Sequence, residues 1–287
     1  ILLLWSAVFE APQQKTPINN EDMTERSPTD QIKMDLDSYE FESSESKKMD
    51  TVSLEESLVN SERVDINTPS LSGSINLQGL KIDDLILNKF NEELDPNSEK
   101  IRFLSPSDTE KSFEISFGWI KSKDAIFETP NSKTIWTLKS PTSVLMSNSE
   151  LEFEWNNQNG QIFKTYISVD EDYLFSIRQI VVNKSDQKII LNNASKIIRK
   201  QTPNLSGMFI LHEGPIGVLE EKLELIDYDT LKDDEETLNF ESNNGWLGIT
   251  DKYWLAALVP SQGIPFKAIY TYEEDSGYVA YFRSLDA

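Results

Sequence analysis

The segment Gly245-Trp246-Leu247-Gly248-Ile249-Thr250-Asp251-Lys252-Tyr253-Trp254-Leu255-Ala256-Ala257-Leu258-Val259-Pro260 decides the fold. Its aromatic and aliphatic residues surround a single charged turn, Asp251-Lys252, and the run stops at a proline. Two strands joined by a tight connection account for that pattern, with an apolar load suited to a sheet interior.

The same signature extends in both directions. Residues 266–272 and 278–283 read as two further strands around the turn 273–277. Toward the N-terminus, alternating apolar and polar residues predict strands at 63–69, 71–79, 82–87, 101–104 and 113–119, then at 135–138, 144–146, 151–155, 162–169, 174–183 and 187–194. Asn156-Asn157-Gln158-Asn159-Gly160 reads as a hairpin loop in which Gly160 is free to take positive φ. In Asp95-Pro96-Asn97-Ser98, proline presets φ and the flanking Asx side chains cap the bend. Helices are scarce: 217–225 fits a strand or a short helix, 228–237 fits the start of a helical turn, and 53–59 fits a turn or two. Many short strands at regular spacing, separated by turn signals, indicate an all-β sandwich.

Order is expected to begin near Arg63, giving a folded domain over 62–287. Residues 10–61 are dominated by Pro, Gln, Asn, Ser, Asp and Glu. A segment this polar buries too little surface to offset its ordering entropy, so a disordered acidic linker is expected there. Residues 1–9, Ile-Leu-Leu-Leu-Trp-Ser-Ala-Val-Phe, are apolar but fall short of the roughly 20 residues that cross a bilayer. They read as the end of a truncated N-terminal transmembrane helix, with Trp5 and Phe9 suited to the interface; a signal-peptide remnant is the competing reading.

The chain has 287 residues, 38% of them hydrophobic and 10% aromatic, enough for a substantial core. A formal charge of −22 argues against nucleic acid as a partner and against charge-driven adsorption to anionic lipid. The absence of cysteine removes disulfides, thiolate nucleophiles, Cys-ligated zinc and a lipid-modified Cys, without identifying a compartment.

Several stretches resemble one family, in that family's order. They are Thr68-Pro69, Leu71-Ser72-Gly73-Ser74-Ile75, Ile82-Asp83-Asp84-Leu85, Asp95-Pro96-Asn97-Ser98, Leu104-Ser105-Pro106 and Phe117-Gly118-Trp119. His212-Glu213-Gly214-Pro215-Ile216-Gly217-Val218, Ile226-Asp227-Tyr228 and the opening segment complete the series. Together they resemble the large periplasmic domain of bacterial YidC-type membrane protein insertases, from Arg63 to Arg283. The resemblance implies a mostly β fold, a β-supersandwich of the galactose mutarotase-like kind with a few short helices. It implies a non-catalytic interaction module without cofactor or metal, in the periplasm, held at the inner membrane by an N-terminal helix. The implied partners are nascent inner-membrane proteins and the Sec translocon with its accessory SecDF subunits. The family's helical membrane core, with its hydrophilic groove and functional arginine, has no matching position in this chain, so the reading frame is expected to continue past Ala287. The alternative is a membrane-tethered carbohydrate-binding or aldose-epimerase-like β-sandwich.

That alternative directs attention to reactive side chains. Epimerase chemistry needs an acid and a base on opposite sides of the sugar, typically two histidines and a glutamate. This chain has one histidine, His212, beside Glu213, and a structural role at a strand end is the expectation for it. The acidic clusters Asp83-Asp84, Asp170-Glu171-Asp172 and Asp233-Asp234-Glu235-Glu236 lack the spacing of a calcium loop and read as solvated turns. Gly245-Trp246-Leu247-Gly248 lacks the lysine of a phosphate loop. Trp246, Tyr253 and Trp254 could stack on a sugar, but on alternating strands core packing is the expectation for half of them. A cleft between the sheets that accepts an extended or lipid-like chain is a further hypothesis.

Overall fold

The computed structural model describes residues 51–122, 125–202, 212–233 and 236–285. The apolar run 1–9 and the linker up to residue 50 lie outside the described residues.

Eighteen strands and two short helices occur among the described residues. In chain order they are α1 (Leu54–Val59), β1 (Arg63–Asn67), β2 (Leu71–Asn76), β3 (Lys81–Asn91), β4 (Lys100–Leu104), β5 (Phe113–Lys121) and β6 (Thr137–Leu138). Then follow β7 (Val144–Leu145), β8 (Glu150–Asn156), β9 (Gln161–Val169), β10 (Phe175–Asn183), β11 (Leu191–Arg199), β12 (Gly214–Leu219) and β13 (Lys222–Leu225). The series closes with α2 (Tyr228–Lys232), β14 (Leu238–Ser242), β15 (Gly245–Thr250), β16 (Leu255–Leu258), β17 (Phe266–Glu273) and β18 (Gly277–Ser284). No described helix is long and apolar enough to cross a membrane.

The strands form one ten-stranded sheet and two four-stranded sheets, a β-sandwich as the sequence predicts. The large sheet runs β14-β17-β18-β11-β5-β3-β2-β1-β7, with β4 paired to β3. The second sheet is β10-β9-β8-β6 and the third is β13-β12-β15-β16. Period-two alternation is cleanest in β9, where every odd-numbered residue from Gln161 to Val169 is buried. Phe163 and Ile167 on that face belong to the same apolar cluster as Trp119 of β5 and Trp136. Trp119 stacks on Trp136 at 6.1 Å and meets Phe163 edge-on at 5.1 Å, contacts that add about 0.5–1.5 kcal/mol each beyond area burial. Leu247, Ile249, Ala256 and Leu258 of the third sheet join Phe266, Ala268 and Tyr270 of β17 in this one continuous core.

The opening segment is a hairpin, β15 and β16, as read from the sequence. Its glycines respond to crowding. A Cβ on Gly245, whose φ is +113°, would fall 1.9 Å from the Val218 carbonyl oxygen. On Gly217 of β12, which pairs with β15, it would fall 2.4 Å from the Tyr270 hydroxyl, which donates to the Ile216 carbonyl at 2.9 Å and ties the third sheet to the large one.

Several boundaries differ from the sequence reading, each for a local reason. The ambiguous 217–225 is the hairpin β12–β13, turning on Glu220 and Glu221 at φ of 51° and 63°. Glutamate is an unusual residue in such a turn, so no turn signal exists there. Strand β11 starts after 187 and runs to Arg199, because Lys196 interrupts its alternation. Strand β14 has only Leu238 and Phe240 as apolar markers and gives no usable pattern. Helix α1 falls inside the stretch read as linker. Ser53 caps it, accepting from the Glu56 N–H at 3.2 Å, and the Val52 N–H donates to the Asp108 carbonyl at 3.0 Å.

Four tyrosines in this interior titrate late. Burial pushes the Tyr278 hydroxyl up to about 12, and burial raises Tyr228, Tyr270 and Tyr281 further. Each phenol stays neutral in the folded state above the pH, about 10, at which an unfolded tyrosine ionises. Their stabilising contribution is therefore complete below about pH 10 and is lost as pH rises through the folded values. The thermal midpoint should hold steady to about pH 10 and fall beyond it, and Tyr278→Phe should fall less steeply. An equally steep fall in the Phe variant, measured by thermal melts across alkaline buffers, would contradict this assignment.

Candidate functional site

The hairpin turn is held by its own polar groups. The Asp251 N–H donates to the Trp254 carbonyl at 2.8 Å, and Thr250 Oγ1 donates to the same oxygen at 3.0 Å. Asp251 also pairs with Arg199 of β11 at 2.8 Å, and that guanidinium lies 4.7 Å over the Phe113 ring. Burial pushes the Asp251 carboxyl up, against the pull of Arg199.

The three aromatic candidates on this hairpin do not converge. Trp254 packs edge-on against Phe90 of β3 at 4.7 Å, while Tyr253 is 70% exposed with Lys252 4.9 Å from its ring. Trp246 stands four residues up β15 from the turn, about 13 Å away at strand rise, opposite Val218. A flat sugar ring cannot stack on both tryptophans at once.

His212 lies just ahead of β12, and its Nε2 is 2.9 Å from the Pro215 carbonyl oxygen. A carbonyl only accepts, so Nε2 carries the proton and donates. The imidazole closes the turn into β12, in keeping with a structural histidine.

The acidic clusters behave differently from one another. Asp170 sits in the turn between β9 and β10, where its Oδ1 accepts from the N–H groups of Asp172 at 2.7 Å and Leu174 at 2.9 Å. In the last cluster, Asp234 and Glu235 lie outside the described residues. Asp83 and Asp84 overturn the solvated-turn reading: both lie within β3, and Asp83 is 1% exposed. The β2–β3 register shifts between Ser74 and Ile75, so Ser74 faces Asp84 and Ile75 faces Ile82. Asp83 is the extra residue of a bulge, and the bulge turns two consecutive carboxylates away from the core that holds Ile82 and Leu85.

Each carboxylate then meets a cation from a neighbouring strand. Asp83 pairs with Arg63 of β1 and Asp84 with Arg102 of β4. Ser74 Oγ donates to Asp84 at 2.6 Å and accepts from Arg63 Nε at 2.7 Å, joining the two pairs. At the start of β3, Lys81 holds Glu114 of the neighbouring β5 at 2.9 and 3.1 Å. Burial pushes the Asp83 carboxyl up against the attraction of Arg63. Burial opposes the Lys81 ammonium as well, but Glu114 keeps it above the ordinary lysine value. Among the described residues no three His, Cys, Asp or Glu side chains are grouped to hold a metal ion.

Between the sheets, Trp136, Phe153, Phe163 and Leu145 are at most 2% exposed, so side chains fill the space proposed for a cleft. A shallow depression of about 310 Å³ lies at the rim instead, lined by residues that include Asn148, Glu150, Asp170, Leu174 and Ser176. Sequence reasoning missed this rim, because which strand ends a sheet is set by distant pairing.

The protein defined by these features is a large, mostly antiparallel β-sandwich in which His212 and the carboxylates of Asp83, Asp84, Glu114 and Asp251 make structural bonds. Residues 63–287 match the family model for the YidC periplasmic domain, and the chain belongs to that family. It is similar to the membrane protein insertase YidC of Rickettsia bellii (strain OSU 85-389), 38% identical over 210 residues, covering 73% of this chain and 37% of that protein. The corresponding protein of Rickettsia felis is 38% identical over 232 residues, covering 81% of this chain and 40% of the relative. That of Nitrobacter hamburgensis is 39% identical over 220 residues, covering 76% and 36%. The matched part of the chain spans about two fifths of the length of these relatives.

Breaking one of the buried pairs should be costly. Asp83→Ala strands Arg63 without its carboxylate and should destabilise the fold by about 3–5 kcal/mol in urea unfolding. Replacing both partners, Arg63→Met with Asp83→Leu, should cost clearly less than either single change. An Asp83→Ala midpoint equal to that of the parent would contradict a structural role for the pair.

Proposed function

We propose that this chain is the periplasmic portion of a YidC-type insertase that assists the insertion and folding of inner-membrane proteins, with and without the Sec translocon. The observation that carries the proposal is the family match over 63–287, joined by relatives named membrane protein insertase at 38–39% identity. In this reading the domain is a non-catalytic interaction module without cofactor or metal. It is held at the inner membrane by a helix that ends in residues 1–9, and spaced from it by the acidic segment 10–61. Its partners are nascent inner-membrane proteins, together with the Sec translocon and its accessory SecDF subunits. The −22 charge disfavours nucleic acid among those partners.

Two local observations support contact rather than chemistry. The single histidine is bonded to a backbone carbonyl, and the buried carboxylates are bonded to cations. The family assignment disfavours the carbohydrate alternative, as does the separation of Trp246 from Trp254.

The test is rescue of bacterial cells depleted of their own insertase by the full reading frame that contains this domain. Membrane-protein insertion should be restored, and His212→Ala should restore it equally well. Failure of the full frame to rescue, or loss of rescue in the His212 variant, would contradict the proposal.

A further inference from the structure

The second sheet ends on β10, which pairs with β9 on one side only. Flanking hydrogen bonds fix which backbone groups face outward. At one end the Asp170 N–H donates to the Leu174 carbonyl at 3.1 Å, and at the other the Lys184 N–H donates to the Gly160 carbonyl at 2.7 Å. Bonded and non-bonded pairs alternate along an antiparallel ladder. Ser176, Arg178, Ile180 and Val182 therefore turn their N–H and C=O groups toward β9. Phe175, Ile177, Gln179, Val181 and Asn183 turn theirs away from it, and no described strand pairs with that side.

Proteins usually blunt such an edge with lysine, proline, a bulge or a covering segment. Strand β10 contains neither lysine nor proline, and its nine residues pair without a register shift. Its single charge is drawn back over the sheet, since Arg178 lies 3.8 Å over the Tyr166 ring and 3.0 Å from Glu150 of β8. Apolar surface flanks the edge: Leu174 is 60% exposed, Ile180 37% and Val182 36%.

We propose that the open edge of β10 receives an extended segment of another polypeptide as an added strand. Backbone hydrogen bonds to Ile177, Gln179 and Val181 supply most of the affinity, and alternate side chains supply selectivity. The partner segment carries aliphatic or β-branched residues at alternate positions, laid beside Ile180 and Val182. At the end that reaches the rim depression, Asp170 in its lining, with Asp172 two residues further along the same turn, favours a cationic residue, while Glu150 is held by Arg178. A second copy of this chain fits less well, because each copy carries −22 and repels another. The proposal rests on the reading that this domain works by contact, and it assigns the surface and the class of partner.

The experiment is fluorescence anisotropy of the 287-residue chain with a labelled peptide, ten residues of alternating Val and Thr ending in two Lys. Ile177→Pro removes one outward N–H and no bond to β9, a change that edge strands tolerate. Binding should be saturable and should weaken at least about tenfold in Ile177→Pro, a variant that should still unfold cooperatively although Ile177 also packs on the core. Should that variant not fold, Ile180→Lys with Val182→Lys keeps the ladder and should weaken the lysine-bearing peptide to a similar extent. No binding to the parent chain, or equal binding to the variants, overturns the proposal. A concentration-dependent dimer abolished by Ile177→Pro also overturns it, in favour of self-pairing. If the peptide fails while the full reading frame still rescues insertion, the edge assignment falls and the insertase reading stands. If the peptide binds but the full reading frame does not rescue, the edge assignment stands and the insertase reading falls.

Discussion

The structure depends on covering one face of a ten-stranded sheet with two smaller sheets. Trp119, Trp136 and Phe163 hold the second sheet down, while Tyr270 and the glycines around it let the third approach closely. Apolar burial is the dominant favourable term in folding, and here it fixes the register of nearly every strand, because a slip of one residue would turn a strand inside out. The remaining features follow from meeting that demand with an acidic sequence. Where the backbone must come close, glycine is required; where a strand must bulge, carboxylates are turned out and need cations.

Charge is organised around that frame. The chain has 27 basic residues against 49 acidic ones, and several of the cations are placed against particular carboxylates. Arg63, Arg102, Lys81 and Arg199 each join a carboxylate on a different strand or turn. Such pairs contribute little net stability compared with well-packed apolar substitutes, but a mispaired strand would leave a charge buried alone. We read them as devices that fix strand order along β1, β3, β4 and β5. The acidic excess beyond these pairs favours solubility and disfavours self-association.

Much of the fold was legible in the sequence because its strongest signals are local. The Gly245–Pro260 hairpin, the alternation of β9 and the Asn156–Gly160 loop each carry their own pattern. What escaped depends on partners far away in the chain. Asp83-Asp84 looks like a turn because two adjacent aspartates seldom enter a strand, and only Arg63 and Arg102 make them tolerable there. Glu220-Glu221 hides a hairpin because its residues are poor for the turn they occupy. The place of His212 at a strand end was legible, whereas the aromatic candidates could be separated only once the hairpin register was known. The open edge of β10 was invisible, since nothing in residues 174–183 tells whether a further strand lies beyond it.

Native-state hydrogen exchange along β10 tests the central claim, that this domain presents a usable backbone edge and acts by contact. The account predicts alternation, with the amides of Arg178, Ile180 and Val182 protected by β9 and those of Ile177, Gln179 and Val181 exchanging freely. Uniform slow exchange across all six would mean that the edge is already covered, and would contradict the account.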